Sequence, residues 1–167
     1  MNSPQLSPWA FRAVLLALLL GLPSCQRQTG TEILWDTYGV PHIFSSDAEV
    51  MFAAQGWAQM KAHGDLILQL YGRARGKAAE YWGEDYLMSD VRTRSVSLPD
   101  RAAAWTQAQD PELARYLASF VQGMNDYAQE HLDVIADEME VVLPVMEEDV
   151  MAHLLQAILK EAFAPTT

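Results

Sequence analysis

A single predicted β-hairpin constrains this chain more than any other feature of its sequence. Strand-forming residues occupy Glu32 to Phe44, and Tyr38-Gly39 supplies a turn, because glycine takes a positive φ without strain. Pro41 has no amide donor, so the second strand is expected to lie at an edge or to begin late. A lone hairpin is marginal in water, and the rest of the sequence offers little further strand. These strands therefore need a larger sheet.

The remaining mature sequence is patterned for helices. The capping-box form of Ser46-Asp47-Ala48-Glu49 predicts a helix start, and a second helical stretch is predicted from Asp65 to Tyr81. Asp110-Pro111 predicts the start of a further helix, and the acids from Glu147 favour the N-terminus of a last one. Trp82 to Pro99 is predicted to be loop or irregular. The expected class is α+β, mostly α-helical with a short N-terminal β-hairpin.

The first 25 residues have the pattern of an export signal. The aliphatic run Ala13–Leu22 would span about 15 Å as a helix, half a hydrocarbon core, which is typical of a signal peptide. Leu22-Pro23-Ser24-Cys25 resembles a bacterial lipobox, although Pro23 is an unusual residue there. We therefore predict a signal peptide over 1–25, lipidation at Cys25, and a periplasmic or membrane-anchored lipoprotein in a bacterium. Ordinary cleavage or an uncleaved anchor are the alternatives.

Charge and composition exclude several classes of function. The formal net charge is −11, which disfavours nucleic-acid binding and electrostatic docking on anionic membranes. The single cysteine excludes an internal disulfide and a Cys-rich zinc site. The sequence has no GxSxG nucleophile elbow and no glycine-rich phosphate loop that follows a strand. His63 and Asp65 are not expected to form part of a catalytic triad, because side chains two residues apart on a helix point in different directions. The basic run Arg73, Arg75 and Lys77 is expected to be a solvated helix face.

The segment Asp36–Phe44 resembles the signature near the start of the penicillin acylase family, D-x-x-G-V-P-H-I-aromatic. An unbroken row from Gly39 to Ile43 matches it. Further matches follow in the family's order, at Asp47, Gly56-Trp57, Gly76–Glu80, Trp82-Gly83, Phe120–Tyr127, Leu143-Pro144 and Asp149-Val150. The resemblance covers Glu32 to Leu155, and the acyl-homoserine-lactone and lipopeptide acylases are the nearest subgroup by pattern.

This resemblance implies that residues 26–167 are the alpha-chain part of an N-terminal-nucleophile hydrolase with an αββα fold. Such enzymes cut linear amides, as in β-lactam side chains or acyl-homoserine lactones, with a Ser that begins a separate beta chain. No catalytic residue is then expected in this chain, and the beta chain of the same precursor is its expected partner. A calcium ion in the full enzyme would take an acidic ligand at or beyond Thr167.

Individual residue roles also follow from the resemblance. Ile158 and Ala162 are expected to line the acyl-binding pocket, with a place in the core as the alternative. His42 is expected to anchor the hairpin turn by hydrogen bonding, since the family's chemistry uses no histidine base.

Two other interpretations remain open. The chain would be a truncated, inactive fragment if no Ser-initiated reading frame lies downstream. It would be an exported acyl-binding lipoprotein if acyl ligands stabilise it without turnover.

Overall fold

The computed structural model describes residues 30–162, with side chains to residue 160. Within these described residues, two strands precede six helices, and three short 3₁₀ turns lie between the helices. The strands are β1 (Glu32–Trp35) and β2 (Pro41–Phe44). The helices are α1 (Ala48–Ala74), α2 (Ala78–Trp82), α3 (Leu87–Ser95), α4 (Leu98–Gln107), α5 (Pro111–Glu130) and α6 (Glu147–Ala162). The 3₁₀ turns are Glu84–Tyr86, Leu132–Val134 and Asp137–Val142. This confirms the predicted α+β class, with helix dominant and a short hairpin first.

The hairpin is antiparallel, with Ile33 opposite Ile43 and Trp35 opposite Pro41. Its turn is held by Asp36, whose Oδ1 accepts hydrogen bonds from the amides of Tyr38 at 2.8 Å and Val40 at 2.9 Å. Gly39 supplies the expected positive φ, at 79°.

His42 lies where the sequence predicted a turn anchor. Its Nε2 is 3.4 Å from Oδ2 of Asp36, within hydrogen-bonding distance. The hydrogen bond from the Val40 amide, followed by those from Tyr38 and His42, outweighs partial burial and lowers the pKa of the Asp36 carboxyl. The histidine thus supports the turn structurally.

Helix α1 differs from its prediction in three respects. Its cap is Asp47, whose side chain accepts from the amide of Val50 at 2.9 Å, and not Ser46. The two predicted helical stretches form one element, bent where His63 leaves the helical region at φ −147° and ψ 30°. The helix ends before Gly76, whose φ of 66° breaks the run to Tyr81.

The segment Trp82 to Pro99, predicted to be irregular, is largely helical. The prediction was wrong because α3 carries few apolar positions and is held by contacts distant in sequence. Asp90, which is buried in α3, accepts from the amides of Ala78 at 3.0 Å and Ala79 at 2.8 Å. A carboxylate from one short helix thereby satisfies the free amides that begin another.

The core is built around the crossing of α1 and α5. A Cβ at Gly56 would overlap the backbone of Phe120, and a Cβ at Gly123 would overlap the backbone of Ala53. Each glycine therefore allows the facing helix to approach closely. The main buried cluster beside this crossing consists of Met60, Leu68, Tyr71, Val121, Met124, Tyr127, Ala128, Ile135, Met139, Val142 and Val145.

A smaller buried cluster joins α4 and α6 to the end of α1. It consists of Ala74, Leu98, Ala102, Met151, Ala152 and Leu155. Between residues 30 and 162, no helix combines the length and apolar character required to cross a bilayer.

Candidate functional site

The start of α6 is fixed by a buried ion pair. Arg75 donates from Nε to Oδ1 of Asp149 at 2.7 Å and from Nη2 to Oδ2 at 2.6 Å. Asp149 is only 1% exposed. Arg75 therefore does not lie on the solvated helix face that the basic run had predicted. The prediction was wrong because the partner of Arg75 lies on α6, and the periodicity of the sequence does not reveal that contact. Bidentate pairing of this kind fixes both distance and orientation.

Further hydrogen bonds complete this anchor. Nη2 of Arg75 also reaches the carbonyl of Pro144 at 3.1 Å, and Oδ2 of Asp149 accepts from the amide of Met146 at 2.7 Å. Burial disfavours the charged guanidinium, but the hydrogen bond and charge of Asp149, aided by Tyr81, outweigh it and raise the pKa of Arg75. The guanidinium of Arg75 thus stays charged over the ordinary pH range.

Asn125 on α5 holds the segment that leads into α6. Its Nδ2 donates to the carbonyl of Val145 at 2.9 Å, and its Oδ1 accepts from the amide of Val145 at 2.8 Å. This closed pair of hydrogen bonds gives the asparagine of the Phe120–Tyr127 motif a structural role. Three motif segments, containing Asn125, Pro144 and Asp149, therefore meet at the start of α6. We call this set of contacts, centred on the Arg75–Asp149 ion pair, the joint.

The consequence of the joint is that α6 presents a defined face. Met151, Ala152 and Leu155 are buried, whereas Leu154 and Ile158 are 47% and 48% exposed. The two exposed side chains are four residues apart, so they lie on the same side of the helix. Ile158 therefore lies on an open apolar surface. The alternative interpretation, which placed it in the core, does not hold for this residue.

The other predicted site residues lie at the end of the described residues or outside them. Ala162 is the last residue of α6, and its side chain is not described. Cys25 lies outside the described residues, as does the predicted signal peptide.

The described side chains supply no ligand set for the calcium that the resemblance implies. Within that part of the chain, no three His, Cys, Asp or Glu residues are grouped so as to hold a metal ion. Asp149 and Asp90 are both committed to internal partners. Asp65 accepts from the amide of Ala136 at 3.0 Å, so the His63–Asp65 neighbourhood has a structural explanation.

An open apolar groove of about 480 Å³ lies between β1, α1 and α5. Sequence reasoning did not anticipate it, because three separate elements form it. Its walls are mainly apolar, with Lys61 and Asp126 as charged members. The lining residues are Thr31, Ile33, Trp35, Val50, Ala53, Ala54, Trp57, Lys61, Gly123 and Asp126. Nζ of Lys61 lies 5.1 Å from the ring centre of Trp35 and 5.2 Å from that of Trp57, so it joins strand to helix.

Comparison with solved structures defines the class. The chain superposes on a thermostable penicillin G acylase from Alcaligenes faecalis with a TM-score of 0.68 and 19% sequence identity. The match covers 83% of this chain and 76% of the solved chain. The described residues therefore share the fold of the matching penicillin acylase chain.

The family follows from the sequence. The profile of the penicillin amidase family matches residues 30–160, and the chain belongs to that family. Over 128 residues it is 30% identical to penicillin G acylase of Escherichia coli, which covers 74% of this chain and 14% of that relative. An acyl-homoserine lactone acylase of Pseudomonas fluorescens is 26% identical over 133 residues, covering 74% of this chain and 17% of the relative. The chain thus spans less than a fifth of either curated relative.

Proposed function

We propose that this chain is the alpha part of an exported amide hydrolase whose nucleophile is the N-terminal serine of a beta chain. The reaction is hydrolysis of a linear amide that joins an acyl group to an amine, as in β-lactam side chains or acyl-homoserine lactones. The family match over residues 30–160 is the observation that carries the proposal.

In this proposal the present chain contributes part of the acyl-binding surface, and the beta chain contributes the catalytic serine. The serine hydroxyl attacks the amide carbonyl while its own α-amine accepts the proton. The C–N bond then breaks, the amine leaves with that proton, and water hydrolyses the acyl-enzyme to the free acid and the serine. The exposed apolar side of α6, with Leu154 and Ile158, would contact the acyl group, because apolar side chains are what a hydrocarbon or aromatic acyl group requires. The Arg75–Asp149 joint supports this role by fixing the helix that carries them.

Export is a separate part of the proposal and rests on residues 1–25 alone. The aliphatic run and the lipobox-like Leu22–Cys25 support cleavage before Cys25 and attachment to a membrane from the periplasmic side. Mass spectrometry of the protein purified from membranes would test it. A mature N-terminus at a diacylated Cys25 is expected, and an unmodified, uncleaved Met1 would refute it.

Two experiments test the catalytic part in sequence. Reading the DNA that follows codon 167 should reveal a frame that leads to a Ser-initiated beta chain. The complete encoded polypeptide should then release free amine from penicillin G or from N-acyl homoserine lactones, and the Ser→Ala variant of that nucleophile should not. Absence of the frame would support the truncated-fragment alternative. Ligand stabilisation without turnover would support the acyl-binding alternative.

A further inference from the structure

Polar contacts hold α6 unevenly along its length. The joint fixes the start of the helix through Asp149, and Asn125 holds the segment before it. Among the described side chains, the next hydrogen bond along α6 runs from Nε2 of Gln156 to Oγ1 of Thr93 and is long, at 3.5 Å. The part of α6 that presents Ile158 therefore depends mainly on the apolar packing of the helix against its neighbours.

His153 lies between these two parts of the helix, one turn after Asp149. Its ring faces Tyr71 on α1, with the ring centres 5.9 Å apart and the ring planes inclined at 57°. Arg75 lies one turn after Tyr71, so α1 and α6 meet in two successive contacts, Arg75 with Asp149 and Tyr71 with His153. The second contact lacks the opposite charge that stabilises the first.

The buried Nδ1 of His153 determines how this second contact responds to a proton. It has no hydrogen-bond partner in the part of the chain that the structure describes. The hydroxyl of Tyr71 is directed at Sδ of Met124, at 4.0 Å. A neutral imidazole tolerates this site, because its proton can stay on Nε2 and leave Nδ1 as a bare nitrogen. Protonation adds an N–H at Nδ1, and a buried charged donor without an acceptor is strongly disfavoured.

The charged side chains on the elements packed against α6 do not reverse this effect. Burial is the cause that lowers the pKa of His153. Arg75 and Asp149 are paired with each other, and Asp100, Arg101 and Lys160 are exposed. The remaining charged residues with partners are Arg73 with Ser89, Arg94 with the carbonyl of Gly76, Glu112 with Tyr116, Arg115 with Glu49, Asp126 with Gln122, and Glu130 with Trp57.

We propose that His153 makes the acyl-binding face of α6 sensitive to pH. The neutral ring packs on Tyr71 and keeps the helix beyond the joint against α1. When the ring takes up a proton, Nδ1 must reach water, so this part of α6 loosens and Ile158 loses its fixed position. His153 is thus a positioning residue. The inference rests on the proposed function, since it takes the face with Ile158 as the one that contacts the acyl group.

Steady-state kinetics of the complete encoded enzyme at pH 7.5 and pH 5 test this. The substrates are penicillin G and an N-acyl homoserine lactone, neither of which changes its charge in that range. KM should rise severalfold in acid for the unaltered enzyme and stay nearly constant for His153→Phe, which keeps a ring against Tyr71 but cannot titrate. Titration of the catalytic α-amine affects both proteins alike, so the comparison isolates His153.

The control is His63→Gln, which removes an exposed histidine at the bend of α1 and should keep the full rise of KM in acid. An equal rise of KM in His153→Phe would overturn the proposal. If His153→Phe does not fold, His153→Gln replaces it, since it also removes the titrating group.

Hydrogen exchange supplies a readout that needs no turnover. After correction for the intrinsic effect of pH, the amides from Gln156 to Leu159 should lose protection at pH 5, whereas that of Val121 on α5 should keep it. His153→Phe should abolish this difference. Unchanged protection of α6 in the unaltered protein would overturn the proposal. If no substrate is cleaved at any pH, the proposed function fails, and the exchange result still decides the role of His153.

Discussion

Arg75 and Asp149 lie 74 positions apart in the sequence, yet two nitrogens of one side chain bind both carboxylate oxygens of the other. Asp149→Ala should lower the free energy of unfolding by about 3–5 kcal/mol, because it leaves a buried guanidinium without its counter-charge. Urea unfolding of the purified protein measures this. Glu80→Gln is the control, since Glu80 and Lys77 form an exposed pair at 4.0 Å that should contribute little. Equal effects of the two substitutions would contradict the assignment.

The close crossing of α1 and α5 predicts that two of the glycines are irreplaceable. Gly56→Ala and Gly123→Ala should each destabilise the fold by at least about 1–3 kcal/mol, because the new methyl group overlaps backbone that cannot move alone. Gly64→Ala tests the specificity of this effect, since its nearest neighbour would be the flexible end of Met60 at 3.8 Å. That substitution should be neutral or slightly stabilising. Thermal unfolding distinguishes the three variants.

Asp90 should behave as a helix cap supplied from a distance. Asp90→Ala leaves the amides of Ala78 and Ala79 without their acceptors and should cost about 1–2 kcal/mol. Asp90→Asn keeps one acceptor oxygen and should retain part of the stability. Chemical denaturation of both variants gives the comparison, and a loss for Asn as large as that for Ala would argue against capping.

The burial of His153 predicts that the free energy of unfolding decreases in mild acid. Its ring centre lies 5.9 Å from that of Tyr71, and its buried Nδ1 has no hydrogen-bond partner among the described residues. Burial lowers the pKa of His153, so the unfolded chain binds the proton more readily. The stability from neutral His153 is therefore complete above the ordinary pKa of about 6.5 and decreases as the pH falls below it.

Unfolding measured from pH 7.5 to pH 5 would reveal this slope, and His153→Phe should flatten it. Asp36 does not interfere, because its pKa is lowered from an ordinary value that already lies below this range. An unchanged slope in the His153→Phe variant would assign the effect to another group.

The exposed side of α6 predicts a separation between stability and activity. Ile158→Ser should leave the unfolding free energy nearly unchanged, because Ile158 is largely exposed, but it should alter KM for acyl substrates in the complete enzyme. Leu155→Ala, three positions earlier but buried, should instead destabilise by about 2–5 kcal/mol. If Ile158→Ser leaves the kinetics unchanged for every acyl length tested, the helix face does not contact the substrate.

Local signals in the sequence predicted those elements whose determinants are themselves local. Asp110 followed by Pro111 marks the start of α5 correctly, since cap and first turn are adjacent: Oδ1 of Asp110 accepts from the amides of Glu112 at 2.9 Å and Leu113 at 3.0 Å. Gly39 and Pro41 likewise defined the hairpin turn and the start of β2. In each case the interacting groups lie within a few residues.

Features fixed by distant contacts were missed, namely the break at Gly76 that separates α2 from α1, and the whole of α3. Helices α2 and α3 depend on Asp90 and on the ring of Trp82 packed against Gly72, neither of which has a periodic signature. The solvated-face interpretation of Arg75 failed for the same reason. Motif matching recovered part of this information, because Gly123, Asn125 and Asp149 all occur in the family pattern that the sequence displays.

The Arg75–Asp149 pair also has a consequence for synthesis on the ribosome. Arg75 emerges long before Asp149, so through most of translation its guanidinium has no counter-charge and must remain in water. The pairing of Arg75 with Asp149 cannot form until the start of α6 has been made. We therefore expect the crossing of α1 and α5 to form first, and the end of α1 to pack only after α6, which carries Ile158, has been synthesised.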